Sequence, residues 1–269
     1  MRPAANAMEI FKRLPKTNCR ACNETTCLAF ASKVYLGSKP LSLCPYVEGG
    51  KEVSLEGGKG FSEAQRDEKV EKLKARVAAL DLAGVAPRVG GVYENGRLGL
   101  RVMGKSIWVD DGGNLSSDIH TNRWIYYTVL SYLLVCQGKA LTGNWVPFRE
   151  LAGAREKNGL FVQRTEHPFK ELADGQPDLF EALMDLFNGE PVEKQFQADI
   201  SLKLSPLPLV PLLVCYWRPE EGMDSDLHLF FDASADVNAG EEVVYTVAAG
   251  IVTMFEKIAS RHWYINGKT

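Results

Sequence analysis

The chain has 269 residues and 29.8 kDa, which suits one small module and one domain of ordinary size. Hydrophobic residues make up 45%, enough for a real core, and the net charge of −3 with a pI near 5.9 excludes a nucleic-acid scaffold, which carries a basic surplus. Met1 to Asn18 is charged throughout and lacks the apolar stretch of a secretion signal. The apolar run Trp124 to Cys136, at 13 residues, is too short to cross a bilayer. The expectation is a cytoplasmic protein with no membrane span and no nucleic-acid partner.

The chain opens with a predicted short helix around Met8 to Leu14, followed by Cys19, Cys22, Cys27 and Cys44. These read C-x2-C-x4-C-x16-C, with Pro45 directly after the last. Four thiolates hold the irons of a cubane cluster in this way, three from one loop and the fourth returning from a distance. Zinc also takes four cysteines, but its common frames pair two C-x2-C knuckles, and only one is present. A disulfide set would need an oxidising compartment, for which nothing else in the sequence speaks. The spacing therefore favours a [4Fe–4S] cluster on Cys19, Cys22, Cys27 and Cys44, with zinc as the alternative. Arg2, Lys12, Arg13, Lys16, Arg20, Lys33 and Lys39 stand against Glu9, Glu24 and Glu48, and cations favour the thiolate form of nearby ligands. A helix is predicted after Cys27, with Leu28, Ala31, Val34 and Tyr35 at helical spacing.

The stretch Ile10 to Val47 resembles the small [4Fe–4S] domain of the corrinoid/iron–sulfur protein large subunit of acetyl-CoA metabolism, and a similar module of Rnf-type B subunits. Leu14-Pro15-Lys16-Thr17-Asn18-Cys19, Cys22, Thr26-Cys27-Leu28-Ala29-Phe30-Ala31 and Cys44-Pro45-Tyr46 carry the match. The resemblance implies a [4Fe–4S] cluster on the four cysteines. It does not imply a bound corrinoid, because the corrinoid-binding parts are absent. Arg20-Ala21 departs from the pattern, since many relatives carry glycine and a small or acidic residue there.

Glycine-rich Glu48 to Gly60 reads as a flexible connection. Ser62-Glu63-Ala64-Gln65 is a capping box that opens a charged helix to about Leu82, striped by Val70, Leu73, Val77 and Leu80. Strands follow at Val92-Tyr93, Leu98 to Met103 and Ile107 to Val109, with Asn95-Gly96 as a hairpin turn. Asp110-Asp111, beside two glycines, reads as a turn rather than a metal site. Ser117 or Asp118 is expected to cap a long buried helix to about Gln137. A helix over Pro177 to Asn188 is next, then a strand alternating through Phe196, Ala198, Ile200, Leu202 and Leu204. Leu209 to Trp217, broken by Pro211, suits a strand near an edge or at a bulge. Leu227 to Asp232 is a further strand, and Glu241 to Arg261 an amphipathic closing helix. Segregated strands and helices predict an α+β fold: a cysteine-ligated module plus a domain with a mixed or antiparallel sheet and a buried helix. The expected division is 1–48, the cluster module; 49–85, linker and charged helix; and 86–269, the larger domain.

Thr142 to Leu151 (TGNWVPFREL) and Leu229 to Asp236 (LFFDASAD) resemble a domain-of-unknown-function family, number 3786, which supplies no reaction. No hydrolase, nucleotide-binding or zinc-protease frame occurs, and His120, His167, His228 and His262 are scattered. Trp145, Arg149, Arg164, Asp232 and Ser234 remain as candidates because they sit among apolar neighbours. Trp145, Arg149 and Asp232 are the expected lining of a ligand pocket, with a buried Arg149–Asp232 ion pair as the competing reading. Cys136 and Cys215 lie in apolar stretches and read as buried free thiols. The functional expectation is a low-potential electron carrier of an anaerobic pathway, its partner a redox protein, with a corrinoid protein as one candidate. The alternatives are a redox enzyme or ligand-binding protein whose C-terminal domain holds the acceptor, and a structural cluster in a regulatory or assembly factor.

Overall fold

The computed structural model describes residues 7–35, 39, 41–47, 63–117, 123–193 and 195–266. The chain divides into two compact units, Met1–Glu68 and Lys69–Thr269. The Gly-rich stretch Glu48 to Gly60, Ser62 of the capping box, Asp118 and His120 lie outside the described residues, as does the side chain of His262.

In the first unit α1 (Ala7–Arg13) packs on α2 (Cys27–Tyr35) around Ile10, Leu14, Phe30, Ala31 and Val34, with Cys27 and Cys44 buried beside them. The Thr26 hydroxyl accepts the Ala29 N–H at 3.0 Å and so caps α2, while Asn18 Oδ1 accepts the Cys27 N–H at 2.8 Å. The buried stripe of α2 is Cys27, Phe30, Ala31 and Val34, so the predicted Ala31 and Val34 are in the core and Leu28 is not. Leu28, predicted to line it, is 44% exposed, because Cys27 turns inward and a one-residue step rotates the next side chain by about 100°.

The second unit begins with most of α3 (Glu63–Val77), whose Leu73 and Val77 enter the larger core. After the short α4 (Leu82–Val85) comes a four-stranded antiparallel meander: β1 (Val92–Glu94), β2 (Arg97–Val102), β3 (Lys105–Val109) and β4 (Leu115–Ser117). Asn95 and Gly96 take φ of 52° and 75°, the pair of left-handed positions a type I′ turn requires. Asp110 accepts the N–H groups of Gly112 and Asn114 at 2.9 and 2.8 Å, which closes the next turn. Ser117 ends β4 and donates its hydroxyl to the Ser106 carbonyl at 2.8 Å. It is therefore a hairpin residue and not the cap of α5 (Arg123–Val135), which starts six positions later.

A second antiparallel sheet has the order β5-β9-β8-β7-β6, built from β5 (Trp145–Pro147), β6 (Glu190–Pro191), β7 (Ile200–Leu207), β8 (Val210–Trp217) and β9 (Asp226–Asp232). β8 is central, not an edge strand, and is buried along nearly its whole length. Proline is tolerated there because the β7–β8 register shifts between Leu204 and Leu207, and pairing with β9 starts only at Leu212. Pro211 thus faces a bulge where no ladder bond needs its missing N–H. Phe196, predicted to begin β7, is exposed and has a φ of 52°.

Helices α6 (Asn158–Arg164), α7 (Glu166–Gly175), α8 (Pro177–Leu186) and α9 (Ala235–Asn266) complete the unit. Antiparallel sheets with segregated helices make the fold α+β. α9 is broken at Gly240 (φ 74°, ψ 155°), so the predicted helix from Glu241 gains a short N-terminal piece. Beyond the break Val243, Val244, Val247, Ala248, Ile251, Val252 and Phe255 are buried. Ala235–Ser260 is long and apolar enough to cross a membrane by length and composition, which a search for uninterrupted apolar runs overlooked; 50% of its most apolar window is buried here.

α9 packs on α5 through a glycine: a Cβ at Gly250 would lie 2.5 Å from the Trp124 ring. Gly250→Ala is expected to destabilise the larger unit by about 1–3 kcal/mol through overpacking. Gly159→Ala in α6, with nothing within 4 Å, should be neutral or stabilise by up to about 1 kcal/mol. Denaturant unfolding of both variants checks the contrast, and equal effects would contradict it.

Candidate functional site

Cys19, Cys22, Cys27 and Cys44 all belong to the first unit, and all six cysteines of the chain are free thiols. Cys19 is exposed, Cys22 half-buried, and Cys27 and Cys44 buried. Cys27 opens α2, and Cys44 follows the 3-10 turn Leu41–Leu43, donating its N–H to the Leu41 carbonyl at 3.1 Å. The connecting loop carries four non-glycine residues in the left-handed region: Lys16, Asn18, Arg20 and Asn23, with φ of 59°, 49°, 61° and 57°. Backbone that alternates into this region turns its N–H groups to one side and makes a concavity for anions, a device that recurs at phosphate and iron–sulfur sites. The Ala21 N–H and then the Thr17 hydroxyl point at the Cys19 sulfur, and they hold its thiol below the ordinary range.

A left-handed conformation costs most side chains roughly 1–2 kcal/mol, asparagine less and glycine almost nothing. Arg20 therefore stands where glycine would be easier, which gives its departure from the family pattern a physical cost. The loop is closed by Glu24, which is almost fully buried and takes Lys33 at 2.8 Å and Lys39 at 2.6 Å. These two ammonium groups, Lys33 first, hold the Glu24 carboxyl below the usual range. Lys39 also donates to the Cys22 carbonyl at 3.2 Å, so one buried carboxylate ties the first cysteine pair to α2.

Among the described residues no three His, Cys, Asp or Glu are gathered as one metal ion would need. A single zinc ion binds sulfur at about 2.3 Å and would draw four thiolates onto one point. A cubane spreads the same four ligands over four irons. Left-handed turns in the loop, two buried thiols, one half-buried and one exposed make a donor set compatible with an iron–sulfur group.

The C-terminal candidates behave differently. Trp145 and Asp232 are register partners across β5 and β9, so the two motifs of the larger domain are one strand pair with its flanking loops. Asp232 is 2% exposed and accepts the N–H groups of Thr142, Gly143 and Ser234 at 3.1, 2.7 and 2.9 Å. It also accepts the hydroxyls of Thr142 and Ser234, at 3.1 and 2.6 Å. Burial pushes the Asp232 carboxyl up, but the Ser234 bonds and then those of Thr142 and Gly143 prevail and hold it below the usual range. Arg149 and Arg164 are exposed, and Arg149 makes no ion pair with Asp232. The competing reading, an Arg149–Asp232 ion pair, is thus replaced by turn N–H groups.

Of the remaining candidates, Cys136 and Cys215 are fully buried, and burial pushes the Cys215 thiol up to about 11. His167 is exposed. His228 Nδ1 lies 3.3 Å from Glu166 and its Nε2 3.1 Å from Asp226; Glu166 above all raises its basicity against the effect of burial.

A pocket of about 760 Å³ opens instead between α7, α8 and the end of β8. Lys170, Asp174, Tyr216, Arg218 and Ser225 are among its polar lining, with the further carboxylates of Asp178, Glu181 and Asp224. Asp174 accepts Lys170 Nζ, Tyr216 Oη and Ser225 Oγ, each at 2.8 Å. Burial, then the Asp174 carboxylate, pushes the Tyr216 hydroxyl up to about 12, so it remains a donor at neutral pH. Sequence reasoning missed this pocket because its residues come from separate elements and share no motif.

Comparison with known proteins matches residues 81–254 to the domain of unknown function DUF3786, and residues 14–46 to a family of Fe-S cluster segments. The chain is 44% identical over 50 residues to the acetyl-CoA decarbonylase/synthase complex subunit gamma of Methanothermobacter thermautotrophicus, which covers 19% of this chain and 11% of that one. It is 45% identical over 49 residues to the corrinoid/iron-sulfur protein large subunit of Moorella thermoacetica, covering 18% of this chain and 11% of that one. The gamma subunit of Methanosarcina acetivorans is 53% identical over 38 residues, 14% of this chain and 8% of its own. The chain thus spans about one tenth of the length of these curated relatives. No solved structure matches it.

Proposed function

The chain belongs to the DUF3786 family, a family defined without a reaction, and from that premise we propose that its function lies in the N-terminal module, as a low-potential electron carrier. Cys19, Cys22, Cys27 and Cys44 would hold a [4Fe–4S] cluster. Such a cluster supplies one electron at a time, at potentials that surroundings set within about −700 to +450 mV. The chain's own residues do the rest. Cys27 and Cys44 would anchor the group in the module core, the left-handed loop would present N–H groups to its negative charge, and exposed Cys19 would leave one side accessible.

The observation that carries this reading is the gradient of burial across the four cysteines. A purely structural cluster needs no exposed corner, whereas electron exchange with another protein does. The relatives belong by name to an acetyl-CoA decarbonylase/synthase complex and to a corrinoid/iron-sulfur protein. The partner is accordingly sought among redox proteins, corrinoid proteins included, in a reducing cytoplasm poor in oxygen. A second reading, that the larger domain binds a small substrate, has the polar pocket around Asp174 in its favour.

Dithionite or a stronger low-potential reductant is expected to give a one-electron reduced cluster by electron paramagnetic resonance, and the reduced protein should reduce an added redox protein. A reducible cluster that passes its electron to no protein acceptor, together with ligand-dependent protection of the Asp174 pocket, would favour the second reading. A cluster that cannot be reduced at all would leave only a structural role.

A further inference from the structure

We propose that the exposed side of the cysteine loop is a docking surface for an acidic redox protein; this rests on the electron-carrier reading and names its partner by charge. Lys12, Arg13, Lys16 and Arg20 are all exposed, and they lie on the last turn of α1 and the loop that carries Cys19. No Asp or Glu occurs between Glu9 and Glu24. None of the four cations has an ion-pair partner among the described residues, whereas Lys33 and Lys39 are both taken up by Glu24. Cys19 is the exposed cysteine among all six.

This concentration stands out in a chain whose net charge is −3. A solvated face would mix signs, and a fold in need of nothing here would place glycine at the left-handed positions. Lys16 and Arg20 occupy those positions at φ of 59° and 61° instead. Neither is among the core residues of the module, and Lys16 lies over the Phe11 ring, 5.7 Å from its centroid. The positive charge at Lys16 and Arg20 is therefore kept at a conformational cost, on the loop that carries the exposed Cys19. Opposite charge on a partner steers the encounter and fixes its register, and it acts over about 8–10 Å at ordinary salt.

The test uses the full chain, an acidic ferredoxin as partner and methyl viologen as a small cationic reductant. Binding of oxidised ferredoxin, which involves no electron transfer, should weaken about tenfold or more between 0.05 and 0.5 M salt. Lys12→Gln with Arg13→Gln should weaken low-salt binding and slow electron transfer from reduced ferredoxin by about tenfold, with reduction by viologen unchanged. Lys16→Gly or Arg20→Gly should likewise weaken binding while raising the melting temperature of the module. Salt-independent binding, equal binding by the variants, or a preference for anionic vesicles or duplex DNA over ferredoxin would overturn the proposal. Failure of viologen to reduce the protein would instead overturn the electron-carrier reading, and the binding measurement would still judge the surface.

Discussion

Cys27→Ser is expected to strip most of the iron and sulfide from protein prepared without oxygen, against about four of each per chain in the wild type. Two physical reasons make this position the most damaging of the four. Cys27 is the first residue of α2, so its sulfur is placed by a helix and not by a mobile loop. It is also buried against Phe30, Ala31 and Val34, where a serine hydroxyl would be a poor ligand and an unwelcome polar group. Cys19→Ser, at an exposed position, should cost less occupancy. Cys136→Ser should leave the iron content unchanged, because that thiol is sealed in the larger core with the Arg88 carbonyl 3.5 Å away. Iron and sulfide analysis with visible absorption checks all three. Stoichiometric zinc without sulfide in wild-type protein would refute the cluster.

Ligand spacing was legible in the sequence because a cluster loop imposes it directly. The left-handed backbone of the loop was not, since Lys16 and Arg20 occupy positions that glycine would have advertised. In the hydrophobic stripe of α2, Ala31 and Val34 were legible, whereas Cys27 takes the place expected for Leu28 because that cysteine also serves as a core residue. Pro211 suits an edge strand or a bulge by sequence, and the structure has the bulge: a register shift in β7 lets proline sit in the middle of the sheet. That compensation lies on a different segment, which no local reading can supply. The hairpin at Asn95-Gly96 and the burial of α5 came through cleanly, for each follows from local turn chemistry or from apolar residues on nearly every side. The Asp174 pocket needed the tertiary structure outright, as α7, β8 and the loop before β9 meet only there.

Asp232→Ala is expected to destabilise the larger unit by about 3–5 kcal/mol, whereas Arg149→Ala should change stability by no more than about 0.5 kcal/mol. The sequence suggested that these two residues would stand or fall together. In the structure Asp232 gathers the loop 142–143 and the start of α9 by accepting their N–H groups, with no part played by Arg149. Removing the carboxylate leaves the buried Ser234 N–H and hydroxyl without their acceptor and releases the exposed Thr142 and Gly143 at the same end of the β5–β9 pair, where Asn144, whose carbonyl receives the Ala233 N–H, would lose its support. Asp232→Asn should fall between, because one carboxamide oxygen can still accept but the amide nitrogen would confront further donors. The pH dependence has a definite sign. The folded carboxyl titrates below the ordinary aspartate value, so its stabilisation is complete above about pH 4 and is lost as pH falls through the folded value. Denaturant unfolding of the wild type should therefore weaken on acidification more steeply than that of Asp232→Ala. If Arg149→Ala proves as damaging as Asp232→Ala, the two residues are coupled after all and this account of the strand pair fails. If both variants stay fully stable but lose a bound small anion, the larger domain is the working site and the electron carrier gives way to the ligand-binding reading.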